Sequence, residues 1–161
     1  MKNIKFLLLF IFCSISIIGT SQSKFTIENG ELVLPKPILF EKSTAIIKAE
    51  SKATLDFIKD YLIDKPSVTM IRIEGNSYFE KNGSLNQQLS EKRALAVANY
   101  LVKAGIDCMR IIPVGFGSNK PISEINENNE RIVIKNAMLN NRPIGGMPID
   151  GGGMMAGDPC K

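Results

Sequence analysis

Two helix-forming segments, each followed by a short apolar segment, constrain the fold of this chain more than any other feature of its sequence. In the first, which runs from about Ala49 to Asp64, apolar residues recur at helical spacing, and Pro66 ends the pattern. In the second, the apolar stripe ends at Gly105, a residue type that commonly closes a helix. We expect this second helix to begin after an N-cap at Ser90, and a capping box that starts at Ser84 is the earlier alternative.

Short apolar segments before, between and after these helices have the composition of strands. They lie at residues 38–40, 68–75, 110–114 and 131–134. In the second of them, Ile71 and Ile73 share one face while Arg72 and Glu74 share the other. The resulting order, β-α-β-α-β-β, predicts an α+β fold, namely a two-layer sandwich in which a small mixed sheet carries both helices on one face.

The N-terminus has the pattern of a signal peptide. Lys2 and Lys5 precede an apolar run from Phe6 to Ile18 and a small polar stretch, so we expect cleavage after Ser23, with cleavage after Ser21 as the alternative. A retained membrane anchor is the weaker alternative, because the run is shorter than the ~20 residues that a spanning helix needs. Cys13 lies inside the run rather than at its end, which argues against a lipid-anchored mature protein. We therefore expect export to the periplasm, with association with the outer membrane as a further expectation.

The remaining chain divides into three parts by composition. Residues 24–37 alternate apolar and polar side chains around Asn29-Gly30, which predicts an N-terminal hairpin or extension. Residues 38–138 contain the two helices and the four strands, and they form the main domain. Residues 139–161 are rich in glycine, proline and methionine without a periodic apolar face, so we expect a flexible tail.

The composition excludes several classes of function. The chain contains no histidine, which removes the commonest general base and the commonest metal ligand, so we expect neither an enzyme nor a cofactor. Its 20 basic residues exceed its 16 acidic ones only slightly, and loss of Lys2 and Lys5 would leave 18 against 16. A surface for nucleic acid is therefore not expected.

Two cysteines follow the signal segment, Cys108 and Cys160. An oxidising periplasm would permit a disulfide between them, and two unpaired thiols are the alternative. A soft metal such as Cu(I), bound by sulfur atoms of the tail, is a further alternative to disorder there. The residues concerned would be Met147, Met154, Met155 and Cys160.

The most specific pattern lies between Ile71 and Leu101, where Gly75 is followed by Asn86, Leu89-Ser90 and Arg93-Ala94. With this spacing the chain resembles the OmpA-like C-terminal domain family. The family pattern is a strand that ends in Gly-His-Thr-Asp, then an Asn, a Leu-Ser, an Arg-Ala and an amphipathic helix. Later matches extend the resemblance over residues 38–136, and they are Gly105-Ile106, Gly115-Phe116-Gly117, Pro121 and Asn129-Glu130-Arg131-Ile132.

The resemblance implies noncovalent binding of peptidoglycan, with outer-membrane or other envelope proteins as further partners. Such domains hold the diaminopimelate end of the stem peptide, which presents a carboxylate and an ammonium group. By the resemblance, Arg93 holds the carboxylate, Arg131 assists it from the last strand, and Asn86 is the pocket asparagine. A guanidinium suits this task because its planar fork can bind both oxygens of a carboxylate.

The position of Arg93 supports this assignment independently of the resemblance. It lies four residues from both Leu89 and Val97, so it faces the apolar side of the helix. If the helix begins at Ser90, Arg93 also lies in the first turn, where the helix dipole disfavours a cation. An anion must therefore be near, either from a ligand or from an internal partner such as Glu74 or Glu80.

The sequence also departs from the family pattern at the ligand loop. Tyr78 stands where the family has its ligand-binding Asp, and Glu130 replaces the first Arg of an Asn-Arg-Arg signature. The ligand ammonium thereby loses its counter-charge, and either Glu80, as the substitute carboxylate, or Tyr78 itself would meet the amine side of the ligand. The alternative function is that of a degenerate OmpA-like fold, which would serve as a protein-interaction or assembly module without binding the wall.

Overall fold

A mixed sheet is the frame of the fold in the computed structural model, which describes residues 24–78, 81–145 and 151–161. In chain order its strands are β1 (Ile27–Glu28), β2 (Glu31–Leu32), β3 (Val68–Asn76), β4 (Ile111–Gly115), β5 (Arg131–Leu139), β6 (Arg142–Pro143) and β7 (Met154–Met155). Across the sheet the order is β1-β2-β5-β3-β4-β7, and β6 pairs with β5. β3 and β4 are parallel, whereas the other pairs are antiparallel. The predicted mixed sheet is confirmed.

Some of the sequence-based predictions concern residues that the structure does not describe. The signal peptide at residues 1–23, Glu80 and Met147 lie outside the described residues. Within the described ranges, no helix combines the length and the apolar character that crossing a membrane requires.

The two long helices form the second layer of the fold. α1 spans Lys52–Asp64 behind a 3-10 turn at Ala49–Ser51, and α2 spans Gly83–Lys103. A short helix, α3, spans Asn126–Asn129 directly before β5. The core between the layers contains buried apolar side chains from both helices and from the central strands: Leu55, Ile58, Leu62, Ile71, Ile73, Val97, Ala98, Leu101 and Ile134. Burial of each large aliphatic side chain contributes about 1.5–3 kcal/mol, so this layer contact dominates the stability of the fold.

Two glycines permit the close contact that positions the candidate site. A Cβ added at Gly75, near the end of β3, would lie 2.2 Å from the backbone oxygen of Ser90 in α2. A Cβ at Gly115, its register partner on β4, would lie 2.6 Å from the backbone nitrogen of Glu91. Only glycine permits such an approach, so the ends of these two strands are held against the first half of α2.

The start of α2 corrects one prediction. The helix begins at Gly83, and the side chain of Asn82 caps it by accepting a hydrogen bond from the Ser84 amide at 2.8 Å. Ser90 lies inside the helix, where its hydroxyl accepts a bond from the Gly117 amide at 2.8 Å. Arg93 is therefore beyond the first turn, and the helix-dipole argument for an anion beside it does not apply.

The predicted strand at residues 38–40 is also corrected. Phe40 forms only an isolated bridge with Ile47. The strand that pairs with β5 on the side away from β3 is β2 instead. The reason is that the backbone groups of Leu39 are already bonded elsewhere. Its amide donates to the Ser51 hydroxyl at 2.8 Å, and its carbonyl accepts from the Lys48 amide at 2.9 Å.

The N-terminal segment pairs as a hairpin at the place where the alternation predicts one. β1 pairs with β2 around Asn29 and Gly30, which both have positive φ. β2 continues the sheet by pairing with β5. Phe25, just before β1, is buried against Phe57 and Tyr61 of α1, with ring centroids 5.0 and 5.3 Å away.

The C-terminal segment corrects the expectation of a tail without structure, as far as residues 151–161 are concerned. β7 pairs antiparallel with β4, and the Ala156 amide donates to the Pro113 carbonyl at 3.0 Å. A disulfide joins Cys108 to Cys160, whose Cα atoms lie 5.3 Å apart. A two-residue edge strand needs no periodic apolar face, because the backbone of β4 and the covalent link together fix its position.

Candidate functional site

A cavity of about 270 Å³ lies where the end of β3 and the start of β5 meet α2. Its apolar lining comes from residues 38–40, the segment that does not join the sheet. Its polar lining combines three cationic side chains with two carboxylates, a hydroxyl and an amide: Lys42, Arg93, Arg131, Glu127, Glu130, Ser43 and Asn76. Both signs of charge therefore border one small space.

Arg93 lines this cavity, but its guanidinium is already surrounded by the protein. The side chain donates from Nε to the Thr44 carbonyl at 2.9 Å and from a terminal nitrogen to a carboxylate oxygen of Glu130. Its central carbon lies 4.9 Å from the ring centroid of Phe40, within the range of a cation–π contact. The residue is only 7% exposed, so Arg93 is a paired and largely buried cation.

The internal partner of Arg93 is Glu130 and not Glu74, while Glu80, the other candidate, lies outside the described residues. Glu74 pairs with Arg72 on the other face of the sheet, and the Nε–Oε1 distance is 2.8 Å. Glu130 pairs with Arg93 through Oε2, while its Oε1 accepts from the Ser77 hydroxyl at 3.0 Å and from the backbone amide of Tyr78. A carboxylate held by a guanidinium, a hydroxyl and a backbone N–H is a well-satisfied anion.

Arg131 is the second guanidinium of the cavity, and its surroundings differ. Its two terminal nitrogens donate to the backbone carbonyls of Asn129 and Lys120, at 3.3 and 3.0 Å. Within the described residues no carboxylate lies within ion-pair distance of it. Burial lowers the pKa of Arg131, and the opposing effects of Tyr78, Glu31 and Glu74 are smaller. The Arg131 charge is therefore partly desolvated, and the carboxylates of Glu31 and Glu74 act on it only from beyond ion-pair distance.

Asn76 is a cavity residue that the sequence analysis did not select as a site residue. It lies directly opposite Arg131 in the β3–β5 register and is 1% exposed. Neither polar atom of its side-chain amide has a hydrogen-bond partner in the described part of the chain. Since buried polar groups are normally paired, this amide is an exception that requires an explanation. The available signal was its position directly after Gly75, where the family pattern has its His.

Two other predicted site residues, Tyr78 and Asn86, are not among the described residues that line the cavity. The Tyr78 phenol donates to the Ser118 carbonyl at 2.7 Å, and burial raises the pKa of that phenol while the charge of Arg131 lowers it. Asn86 is buried in the first turn of α2 and is not among the described residues that line the cavity. The structure therefore brings Arg93 and Arg131 together and leaves Asn86 and Tyr78 outside the lining.

Metal binding finds no support among the residues that the structure describes. They contain no group of three or more cysteine, aspartate or glutamate side chains that could hold an ion. The disulfide also removes Cys160 from the soft-metal set considered for the tail, because its thiol is not available as a ligand.

Comparison with known proteins places this site in a family context. The sequence profile of the OmpA family matches residues 39–135, which include every described residue that lines the cavity except Ile38. The chain is 31% identical over 103 residues to the peptidoglycan-associated lipoprotein of Rhizobium meliloti (strain 1021), and the match covers 64% of this chain and 55% of that protein. It is also 31% identical to the probable lipoprotein YiaD of Escherichia coli (strain K12), over 60% of this chain and 43% of that one. The chain thus spans about half the length of these relatives.

A solved structure shows the same architecture. An outer membrane protein from Borrelia burgdorferi B31 superposes with a TM-score of 0.57 at 30% identity, covering 73% of this chain and 96% of that one. The names of these similar proteins are those of envelope and outer-membrane proteins, in agreement with the expected class of protein. They agree equally with the expectation that the chain is not an enzyme.

Proposed function

Because the chain belongs to the OmpA family, we propose that it binds peptidoglycan noncovalently, through a diaminopimelate-type stem peptide, in the bacterial cell envelope. The observation that carries this proposal is the cavity of about 270 Å³ with both signs of charge on its wall. A ligand end that bears one carboxylate and one ammonium group is complementary to such a wall. The peptidoglycan-associated name of a relative that is 31% identical supports the same ligand class.

The size of the cavity limits what part of the wall it can hold. Pockets for drug-sized ligands have about 300–1,000 Å³, and this cavity is slightly smaller than that range. It therefore suits one amino-acid end of a stem peptide rather than a whole peptide. The two arginines would attract the carboxylate, and the exposed Glu127 at the rim would meet the ammonium that the family Asp meets in other members.

The location and partners form part of the same proposal. We expect export to the periplasm, directed by residues 1–23, and contact there with the peptidoglycan layer. Outer-membrane or other envelope proteins are the expected further partners, and the names of the similar proteins support this environment. Neither nucleic acid nor a cofactor has a place in the proposal.

A sedimentation assay with purified sacculi tests the proposal. The exported protein should sediment with sacculi, and free diaminopimelate should release it in a dose-dependent way. Arg142→Gln is a matched control, because Arg142 is an exposed arginine of β6 that does not line the cavity, and this variant should sediment normally. If the wild-type protein stays in the supernatant, the proposal is wrong.

A second candidate function is a protein-interaction or assembly module that no longer binds the wall. The ion pair of Arg93 with Glu130 favours it, because this pair occupies the guanidinium that the family resemblance assigns to the ligand. Tyr78→Asp distinguishes the two, since it restores the family carboxylate. A large gain of sedimentation from a level near zero would mean that the natural pocket has lapsed. A wild-type protein that already sediments well would exclude the second candidate.

A further inference from the structure

The two arginines of the cavity differ in their ability to accept a further anion. Arg93 already has Glu130, the Thr44 carbonyl and the ring of Phe40 around its guanidinium. A ligand carboxylate at Arg93 would have to displace Glu130, which would then lie beside the cavity without its cation. Breaking this ion pair costs free energy that the new contact would first have to offset, because the Glu130 side chain is only 23% exposed. Arg93 is therefore a poor first contact for an incoming carboxylate.

Arg131, in contrast to Arg93, has no carboxylate bonded directly to its guanidinium among the described residues. Its guanidinium lines the cavity, is half-buried, and contacts only neutral backbone carbonyls at the distances given above. A guanidinium has five N–H groups, and the two recorded bonds leave others to donate. A carboxylate that entered the cavity would supply the direct ion-pair partner that Arg131 lacks among the described residues, where Glu31 and Glu74 act on it only from farther away.

Asn76 supplies the second, independent observation. Its amide is buried, lines the same cavity and has no hydrogen-bond partner among the described residues. Directly opposite residues of an antiparallel pair have Cβ atoms about 4.5–5.5 Å apart, so the side chains of Asn76 and Arg131 are neighbours. The amide NH₂ can donate to one carboxylate oxygen while the guanidinium donates to the other.

We propose that Arg131 and Asn76 together receive the ligand carboxylate, while Glu130 permanently occupies the anion position on Arg93. The inference rests on the proposed function and deepens it, because it moves the carboxylate contact from α2 to the β3–β5 pair. In this arrangement the Glu130 carboxylate binds Arg93 where a ligand carboxylate would otherwise bind, and Arg93 is a positioning residue that shapes the cavity. Binding then depends on the carboxylate of the ligand through Arg131 and Asn76.

The test uses a soluble stem peptide that ends in diaminopimelate, and the same peptide with the carboxylates of that residue amidated. Arg131→Gln and Asn76→Asp should each weaken binding of the free-acid peptide roughly tenfold or more, by removing a donor or by adding a repelling charge. Neither variant should change binding of the amidated peptide, which the wild-type protein should bind more weakly. Arg142→Gln is again the control and should bind like the wild type.

A measurement on the unsubstituted protein covers the case in which a variant does not fold. In a ¹⁵N NMR titration, the side-chain signals of Asn76 and Arg131 should shift with the free-acid peptide, and the Nε–H signal of Arg93 should stay in place. If the Arg93 signal shifts instead, or if Arg131→Gln binds normally, the inference is wrong although the proposed function stands. If the wild-type protein binds neither sacculi nor peptide, the proposed function itself fails.

Discussion

Two arginine–glutamate pairs of this protein have the same chemistry and different surroundings. Arg72 and Glu74 lie on the sheet face away from the helices, where their side chains are 2% and 5% exposed. The ring of Phe116 covers this pair, with its centroid 5.8 Å from the guanidinium carbon of Arg72. This pair is sealed inside the fold.

Arg93 and Glu130 instead border the cavity, and their side chains are 8% and 23% exposed. A buried arginine is therefore not by itself a sign of a ligand site, since the arginine of each pair already has a glutamate partner within the protein. The cavity is distinguished by the neighbours of the second pair: the Asn76 amide has no hydrogen-bond partner among the described residues, and Arg131 has no direct ion pair there. One pair thus maintains the fold, whereas the other frames a binding space.

The largest expected loss of stability comes from removing the carboxylate of the buried Arg72–Glu74 pair. Glu74→Ala should lower the free energy of unfolding by about 3–5 kcal/mol, because Arg72 would lose its carboxylate in a buried place. Urea denaturation of the purified protein measures the change. Glu124→Ala removes an exposed glutamate and should change stability by no more than ~0.5 kcal/mol. A similarly small loss for Glu74→Ala would mean that the sealed pair does not stabilise the fold.

Removing the disulfide separates stability from binding. Cys160→Ser should lower the free energy of unfolding by about 2–4 kcal/mol, since a link across 52 residues restricts the unfolded chain. Binding of the stem peptide should not change, because neither cysteine lines the cavity. A reducing agent should bring the wild type to the stability of the variant. A parallel loss of peptide binding would show that the cavity depends on the tail.

The next change acts on the pair that borders the cavity. Glu130→Gln keeps an oxygen that can accept from Ser77 and Tyr78 but removes the charge next to Arg93. We expect a loss of stability of about 1–2 kcal/mol, smaller than for the sealed pair because Glu130 is partly exposed. Affinity for the free-acid stem peptide should rise several-fold, measured by calorimetry. A decrease in affinity would indicate that the Glu130 carboxylate itself contacts the ligand.

The smallest expected effect concerns a neutral buried bond on the helix side of the sheet. The Tyr61 phenol donates to the Asn136 amide oxygen at 3.0 Å, and burial raises its pKa above the ordinary value of 10.0. The protonated Tyr61 phenol contributes its full stabilisation at pH values below the phenol pKa in the unfolded chain. That stabilisation is lost as the pH rises through the higher phenol pKa of the folded state. Tyr61→Phe should cost about 1 kcal/mol at neutral pH and reduce the loss of stability above pH ~10. An unchanged pH profile would contradict this assignment.

Much of the fold could be predicted because its signals are local. The helical spacing that ends at Pro66, and the alternation of Ile71 and Ile73 with polar residues, predict α1 and β3 close to their observed bounds. Residues 38–40 could not be assigned correctly from composition. Their backbone bonds to Ser51 and Lys48 at the start of the first helix exclude them from the sheet.

The candidate site was predictable in part, for a different reason. The spacing that identifies the family selected Arg93 and Arg131, and the structure places both at one cavity. The partner of Arg93 could not be found in this way, because Glu130 lies 37 residues further along the chain and its proximity depends on tertiary structure. Asn76 was missed because an unsatisfied amide becomes visible only when its surroundings are known.

A high-resolution structure of the protein with a stem peptide that ends in diaminopimelate would show which arginine holds the ligand. We expect a ligand carboxylate within hydrogen-bond distance of the Arg131 guanidinium and the Asn76 amide, with Glu130 still paired to Arg93. A ligand carboxylate bound to Arg93 with Glu130 displaced, or a peptide bound away from this cavity, would contradict this expectation.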